Sequence, residues 1–292
     1  MTEIVPTKRT YILLNPSWSR GEGMTTDTKV PVVVIGCYSQ YAPPSVGNVV
    51  YSNPGLIFHD LGHLWFGGYT KLGRMDESLA THMELLVISR VDKQYLNYFD
   101  DIENLKILPN IKSMPLIDTY NEGIPYPTIR NAIIYYKGAF VFRSLQFVLG
   151  NETFFKSIRE LLRECHGKEC NLTDVQKVFE RISGQNLDWF FREWFYITKV
   201  PDYYVENLSL TRERGKYILN FEIIDKNNFT MPLEVEVITA NEKVIKKVWI
   251  DGRAKVSFEL EDKPATILLD PNEWMVNENR KYTLSGIEII VN

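Results

Sequence analysis

The sequence predicts an α+β protein in which a β-rich segment, a helical region and a β-sandwich follow one another. β-branched runs dominate up to residue 53, apolar residues recur at helical spacing over 54–200, and short alternating runs fill 201–292. These three ranges are the predicted domain divisions. A chain of 292 residues is long enough for two or three domains with a substantial core.

The β-rich segment is too short to close a domain of its own. Its strand-like runs are Thr10–Asn15, Val30–Tyr38 and Val46–Ser52, and Asn53-Pro54-Gly55 then breaks the chain. We therefore expect these runs to form a sheet that packs on the helical region.

The helical region contains apolar repeats with the period of an α-helix. The predicted helices are Pro54–Trp65, Met75–Val91, Ile129–Leu149, Glu152–Arg163, Thr173–Ile182 and Leu187–Tyr196. Pro54 suits a first helical turn, Gly67-Gly68 marks the end of the first helix, and Asn171 offers an N-cap further along. The short connections predict antiparallel packing of these helices.

The C-terminal region has the pattern of short strands. The predicted strands are Tyr217–Ile224, Leu233–Thr239, Val244–Ile250, Ala254–Leu260 and Ala265–Leu269. Asp251-Gly252 provides a turn between two of them. This spacing predicts a small antiparallel β-sandwich, and no chemically reactive motif lies within it.

Composition excludes several functional classes. A formal net charge of −4 provides no basic surface for nucleic acid. No run approaches about 18 consecutive apolar residues, so no membrane span is expected. Met1–Thr10 lacks the apolar core of a signal peptide. We therefore expect a cytoplasmic protein with neither a nucleic-acid nor a membrane partner.

The cysteines are too few for a disulfide framework. Cys37, Cys165 and Cys170 form an odd set, and only Cys165 and Cys170 lie close in sequence, on either side of His166. This pair is interpreted as plain loop cysteines or a local disulfide, with a zinc knuckle as the weaker alternative.

The stretch His59-Asp60-Leu61-Gly62-His63 carries the strongest chemical signal. Two histidines four residues apart on a helix share one face, so both can bind a single metal ion. Glu77 follows after 13 intervening residues and would complete a three-ligand site with an open fourth position, as in catalytic zinc centres. Glu84, two turns beyond Glu77, could accept the free N–H of a ligand histidine. The alternative is that the histidines are core residues and the glutamates are solvated.

These residues resemble three ordered motifs of the aminopeptidase N family of zinc metallopeptidases, the gluzincins. HDLGHLWFG at 59–67 resembles HELxHxWFG, MDESLATHME at 75–84 resembles LNEGFATYME, and YYKGA at 135–139 matches Y-x-K-G-A. The segment 150–194 and the final strands also resemble this family, so the similarity runs from about residue 45 to near the end.

The resemblance implies a thermolysin-like fold for the helical region and a peptide substrate. It implies one zinc ion per chain, bound by His59, His63 and Glu77. It places Asp60 at the position of the general base and makes Tyr135 the phenol that hydrogen-bonds the tetrahedral oxyanion.

Four departures from the family pattern bear on activity. The family's large N-terminal β domain and C-terminal helical domain have no counterpart in this sequence. Gly47 stands where the family has a glutamate that anchors a substrate's α-amine. The spacer before Glu77 is five residues shorter than the family's usual 18, and Asp60 replaces the glutamate base.

Two hypotheses follow. The favoured one is a zinc-dependent peptidase that hydrolyses short peptides by a metal-activated water. The alternative is a non-catalytic zinc-binding relative that serves as a peptide-binding or assembly module. The retained ligands and Tyr135 favour the first hypothesis, whereas Gly47 and Asp60 favour the second.

Overall fold

The computed structural model of the protein describes residues 11–15, 23–25, 32–36, 55–91, 108–121, 129 and 131–292. The predicted strand Val46–Ser52, together with Cys37 and Gly47, lies outside the described residues. No helix of the described part is both long enough and apolar enough to cross a membrane.

The N-terminal strands form a three-stranded sheet. Its strands are β1 (Tyr11–Asn15), β2 (Gly23–Thr25) and β3 (Val32–Gly36), in the order β1-β3-β2. β3 pairs parallel with β1 and antiparallel with β2. Two strands were predicted from their β-branched runs. β2 was not, because three residues are too few to display an alternating pattern. β2 and β3 lie near the first helix.

Helices make up the middle of the chain. They are α1 (Gly55–His63), π1 (Leu64–Tyr69), α2 (Met75–Val91), α3 (Leu108–Ile111), α4 (Leu116–Asn121), π2 (Asn131–Lys137), α5 (Gly138–Leu149), α6 (Asn151–Glu164), α7 (Leu172–Ser183) and α8 (Asp188–Phe195). α3 and α4 were not predicted, since one turn or little more does not reveal a period.

The predicted stop at Gly67-Gly68 is wrong. The helix continues through both glycines as the π-helix π1, which ends at Tyr69. The Thr70 N–H donates to the carbonyl of Trp65 over 3.0 Å, and the Thr70 hydroxyl donates to the carbonyls of Trp65 and Phe66. These bonds satisfy carbonyl groups of the last turn, so the glycines do not terminate the helix.

The predicted helix Ile129–Leu149 is also irregular. Its first part is the π-helix π2, and a regular α-helix, α5, begins only at Gly138. A Cβ atom built on Gly138 would lie 2.0 Å from the Ser78 hydroxyl oxygen of α2. Glycine at this position therefore lets α2 and the start of α5 approach closely.

The C-terminal region forms one eight-stranded sheet in the order β10-β11-β9-β6-β7-β8-β5-β4. The strands are β4 (Tyr203–Glu213), β5 (Lys216–Asp225), β6 (Thr230–Ile238), β7 (Lys243–Asp251), β8 (Arg253–Leu260), β9 (Thr266–Leu269), β10 (Arg280–Leu284) and β11 (Ile287–Val291). The predicted antiparallel arrangement holds for every named pair except β9 and β11, which are parallel. β7 and β8 share the single residue pair Asp251 and Arg253, so two groups of strands meet at one narrow junction.

The helices and the C-terminal strands share one continuous apolar cluster. Trp194 of α8 is fully buried, its ring lies 5.1 Å from that of Phe229, and its indole N–H donates to the Met231 sulfur. Burial of such aromatic side chains is a major contribution to stability. The sharp change from helix to strand lies between Phe195 and Tyr203, and the division into domains at residue 200 stays a prediction.

Cys165 and Cys170 are joined by a disulfide bond. The local-disulfide interpretation of this pair is therefore the one that the structure supports, and the zinc-knuckle alternative is wrong. The bond closes a short loop between α6 and α7.

Candidate metal centre

The site is built by the close approach of α1 and α2. A Cβ atom built on Gly62 would lie 2.9 Å from the Cα atom of Ala80, so the two helices touch at glycine and alanine. This contact places one face of α1, with its two histidines, opposite the first turn of α2. The sequence predicted both the shared face and the position of Glu77 in that turn.

Three potential ligand atoms converge between the helices. Glu77 Oε2 lies 3.1 Å from the Nε2 atoms of both His59 and His63, and these two nitrogen atoms lie 3.0 Å apart. Tetrahedral zinc with bonds of about 2.0–2.1 Å requires ligand atoms roughly 3.3 Å apart. The donor set and its spacing therefore fit one zinc ion, with a fourth position free of these three ligands.

The charges of the cluster suit a cation. Burial raises the pKa of Glu77, but hydrogen bonds from His59 and His63 outweigh burial and hold that pKa below its usual range. Burial lowers the pKa of His59 and favours its neutral, ligating form. Burial also lowers the pKa of His63, but the Glu77 and Asp76 carboxylates outweigh it and raise that pKa overall. A metal ion must therefore displace a proton at His63 over part of the pH range.

Thr81 orients His59. Its hydroxyl donates to the main-chain carbonyl of Glu77 over 2.8 Å and lies 3.2 Å from His59 Nδ1. Because its proton is directed at the carbonyl, the hydroxyl oxygen accepts from Nδ1–H, and this tautomer leaves Nε2 free to ligate. Glu84 Oε2 lies 3.7 Å from the same Nδ1, beyond hydrogen-bonding distance. Thr81 thus makes the hydrogen bond to this nitrogen, Glu84 lies close by, and the supporting role expected of Glu84 stays a prediction.

Asp60 lies beside the cluster and is 3% exposed. Within the described part of the chain, its Oδ2 atom has no hydrogen-bond partner. Burial raises the pKa of Asp60 to about 7, with His63 lowering it and Glu77 raising it further. Burial, with a smaller contribution from the Asp60 charge, raises the pKa of Glu84 to about 8. Two carboxyl groups thus share this buried region.

Tyr135 reaches the centre from π2. Its ring stacks on the His59 imidazole, with 5.7 Å between the ring centroids and 28° between the planes. The structure thus brings Tyr135 to the histidines across 76 residues of sequence, and its role as an oxyanion donor stays a prediction.

Asp76 is a further residue of the centre that the sequence analysis missed. Its Oδ2 atom lies 4.0 Å from His63 Nδ1, and a Cβ atom on Gly67 would lie 3.0 Å from the same Oδ2. Burial raises the pKa of Asp76 to about 6. Its place directly before Glu77 is the signal that could have identified it.

The comparisons with known proteins agree with this arrangement. Residues 45–194 match the family model described as the Peptidase family M1 domain. This match covers more than half of the chain, and it confirms the resemblance to the aminopeptidase N family. The chain belongs to peptidase family M1.

The matched relatives are much longer than this chain. It is similar to Aminopeptidase M1-C of Oryza sativa subsp. japonica, with 26% identity over 66% of this chain and 25% of that protein. It is similar to Probable aminopeptidase 1 of Sulfurisphaera tokodaii, with 24% identity over 81% of this chain and 28% of that protein. The chain thus spans about a quarter of the length of these relatives.

The fold is shared with a solved structure, that of Legionella pneumophila aminopeptidase A in complex with aspartic acid. The TM-score is 0.67 at 16% sequence identity, over 93% of this chain and 32% of that chain. At this identity the likeness establishes the α+β fold, and the chemistry must be argued from the residues.

Proposed function

We propose that this chain is a zinc-dependent peptidase that hydrolyses short peptides, with one zinc ion held by His59, His63 and Glu77. The observation that carries the proposal is the mutual spacing of 3.0–3.1 Å among the three ligand atoms. Membership of peptidase family M1 supports peptide-bond hydrolysis as the reaction.

Each residue of the centre has a chemical role in this proposal. When bound, the metal ion supplies Lewis-acid chemistry, which acidifies water and polarises the scissile carbonyl. Asp60 accepts the proton of the attacking water. Tyr135 donates a hydrogen bond to the oxygen that becomes negatively charged in the transition state. Thr81 keeps His59 in the tautomer that binds the metal.

The position of Asp60 supports its role as the base. It lies between the two histidines in sequence, on the helix that supplies both. Leaving a buried acceptor without a hydrogen bond costs about 1–3 kcal/mol of free energy. The unpartnered Asp60 Oδ2 is therefore available to accept a hydrogen bond from a bound water molecule or substrate. Aspartate nevertheless withdraws the carboxylate by roughly 1–1.5 Å relative to glutamate. A misplacement of about 1 Å can reduce a rate on the order of 100-fold.

This shortened reach favours one alternative function. A non-catalytic relative would keep the zinc ion and bind peptides or assemble with other chains without hydrolysing them. The observation in its favour is the aspartate at the base position.

One experiment distinguishes the two functions. Metal content is measured by mass spectrometry, and the same preparation is incubated with a mixed peptide library whose cleavage is followed by liquid chromatography. One zinc ion per chain with hydrolysis that a chelator abolishes supports the peptidase. Stoichiometric zinc without any cleavage supports the non-catalytic relative, and the absence of metal binding refutes both.

A further inference from the structure

The segment that links π1 to α2 is held by the disulfide loop, defined here as residues 165–170. The Gly167 N–H donates to the carbonyl of Tyr69 over 3.4 Å, and the Cys170 N–H donates to the carbonyl of Lys71 over 2.9 Å. These bonds form a short bridge between two parts of the chain that are almost 100 residues apart in sequence.

His166 strengthens this attachment. Its Nδ1–H donates to the carbonyl of Tyr69 over 3.1 Å, and its ring stacks on that of Tyr69 with 4.0 Å between centroids and 18° between planes. The neighbouring Thr70 is fully buried and bonded to the end of π1. The linking segment is therefore held by the helix end on one side and by the disulfide loop on the other.

This segment lies midway between two of the proposed ligands. Tyr69 follows His63 by six residues, and Lys71 precedes Glu77 by six. Each residue spans at most about 3.3–3.6 Å of extended chain. Because few residues separate the segment from α2, a displacement of the segment is transmitted to the start of that helix. The first turn of α2 is moreover joined to the segment through the Asp76 N–H, which donates to the carbonyl of Gly73 over 3.2 Å.

The surroundings leave room for such a displacement. A groove of about 580 Å³, open to solvent, borders the segment and the loop and is lined by Lys71, Arg74, Met75 and Cys170, among others. A segment that borders an open groove loses fewer packing contacts on moving than one enclosed in a filled core.

We infer that the Cys165–Cys170 disulfide loop positions the third metal ligand, Glu77, and that its reduction weakens zinc binding. The inference deepens the proposed function, because it concerns the same metal centre. An intact loop holds Tyr69 and Lys71 and thereby fixes where α2 begins. Opening the loop frees the segment, so Glu77 is no longer held at one distance from the two histidines.

The redox step is a two-electron reduction by a thiol or a phosphine. The sulfur–sulfur bond breaks, and Cys165 and Cys170 each become a thiol. With a trialkylphosphine, water supplies both protons, and its oxygen is transferred to phosphorus to give the phosphine oxide. Cys165 is 1% exposed and Cys170 is half-buried, so attack is expected at the Cys170 sulfur.

The test measures the zinc dissociation constant by competition with a chromophoric chelator. The full chain carries Cys37→Ser throughout, so that only the loop can change its redox state. We expect the additional Cys165→Ser and Cys170→Ser pair to weaken zinc binding on the order of 10-fold, or about 1.4 kcal/mol. Reduction of the parent by the phosphine should produce the same change, and re-oxidation should reverse it. An affinity unchanged within twofold in the folded double variant would overturn the inference.

Two further measurements keep the inference testable in every case. His166→Ala retains the disulfide and removes only the side-chain contacts with Tyr69; a smaller weakening, on the order of threefold, is expected even if the double variant fails to fold. Amide hydrogen exchange of residues 69–77 reports the segment without any metal. If the parent protein binds no zinc, the proposed function fails. Faster exchange after reduction then still supports a positioning loop, whereas unchanged exchange refutes it.

Discussion

The Ser78 hydroxyl donates to the main-chain carbonyl of Ile134 over 2.6 Å. Ser78 is fully buried and directly follows Glu77, and Ile134 directly precedes Tyr135. This one bond joins the helix that supplies the third proposed ligand to the helix that supplies the proposed oxyanion donor. The Tyr120 hydroxyl lies 2.7 Å from the same serine oxygen and completes its hydrogen bonding.

Ser78→Ala should lower the turnover of peptides by about 3–30-fold while zinc stoichiometry is retained. The substitution removes the link to the carbonyl next to Tyr135, so the phenol is held less firmly, but no ligand is lost. Steady-state kinetics should show the loss in kcat with little change in KM. Ser157→Ala is the matched control, because it removes another buried hydroxyl that bonds only within its own helix. A loss in Ser78→Ala larger than in Tyr135→Phe would contradict this positioning role.

His63→Ala should abolish stoichiometric zinc. The variant leaves two of three ligands, and zinc sites of this class require all three protein ligands for tight binding. Metal content after dialysis against a weak chelator measures the effect. Glu152→Gln, on the exposed side of α6, should keep one zinc ion per chain. Full retention of zinc in His63→Ala would refute the ligand assignment.

Asp60→Glu should raise peptide hydrolysis by roughly 10–100-fold, equivalent to about 1.4–2.7 kcal/mol of transition-state stabilisation. The longer side chain restores the reach of the base, and zinc content should stay unchanged because residue 60 is not a proposed ligand. Asp60→Asn, assayed on the same peptide, should be inactive. If Asp60→Glu is slower than the parent while Asp60→Asn is inactive, Asp60 is the base, but reach does not limit it.

Free and N-acetylated peptides should be cleaved with efficiencies that differ by less than about 100-fold, or nearly 3 kcal/mol. Gly47 has no carboxylate to pair with a buried ammonium group, and an unpaired buried charge is costly. Competition between the two forms of one peptide measures kcat/KM directly. A larger preference for the free amine would show that another acidic residue binds it.

The protonation of Asp270 should make the free energy of unfolding fall as the pH rises. It is fully buried, and burial raises its pKa to about 7 although its oxygens accept from the N–H groups of Trp274 and Met275. The folded state therefore binds a proton that the unfolded state releases near pH 4. The resulting stabilisation is present below pH 4 and is lost as the pH rises through about 7.

Urea unfolding between pH 5 and pH 8 tests this linkage. Asp270 should contribute a decrease of about 2–3 kcal/mol over that range. Asp270→Asn should remove this contribution and make the curve less steep. Asp251→Asn, an exposed carboxylate of the same sheet, should leave the dependence as in the parent. An equally steep curve in Asp270→Asn would refute the assignment.

Local signals predicted the helices from residue 151 to 196 to within about two residues. In α7 the reason is explicit, because Asn171 and Asp174 form a reciprocal capping box and Gly184 ends the helix in a left-handed conformation. Such ends are determined by residues adjacent in sequence. The end of π1 beyond Gly67-Gly68 is bonded by Thr70 and, at Tyr69, by the remote disulfide loop, and no local pattern contains these contacts.

The candidate metal centre likewise combines features that neighbouring residues determine with features that depend on remote contacts. The spacing of His59 and His63 and the motif around Glu77 predicted three atoms that the structure brings together. Thr81 was missed because its importance depends on the distance between two helices, which periodicity does not give. Glu84 lies on the predicted helix face, with its Oε2 atom 3.7 Å from His59 Nδ1, and its supporting role stays a prediction.

The contact between Gly62 and Ala80 affects how a mutational scan of this region would be interpreted. Larger side chains at residue 62 would separate the two helices, so activity would disappear there as completely as at a ligand. Functional selection alone would therefore assign Gly62 to the catalytic machinery. A parallel measurement of protein abundance would distinguish the two cases. It separates a residue that takes part in the reaction from one that only allows the two helices to approach each other.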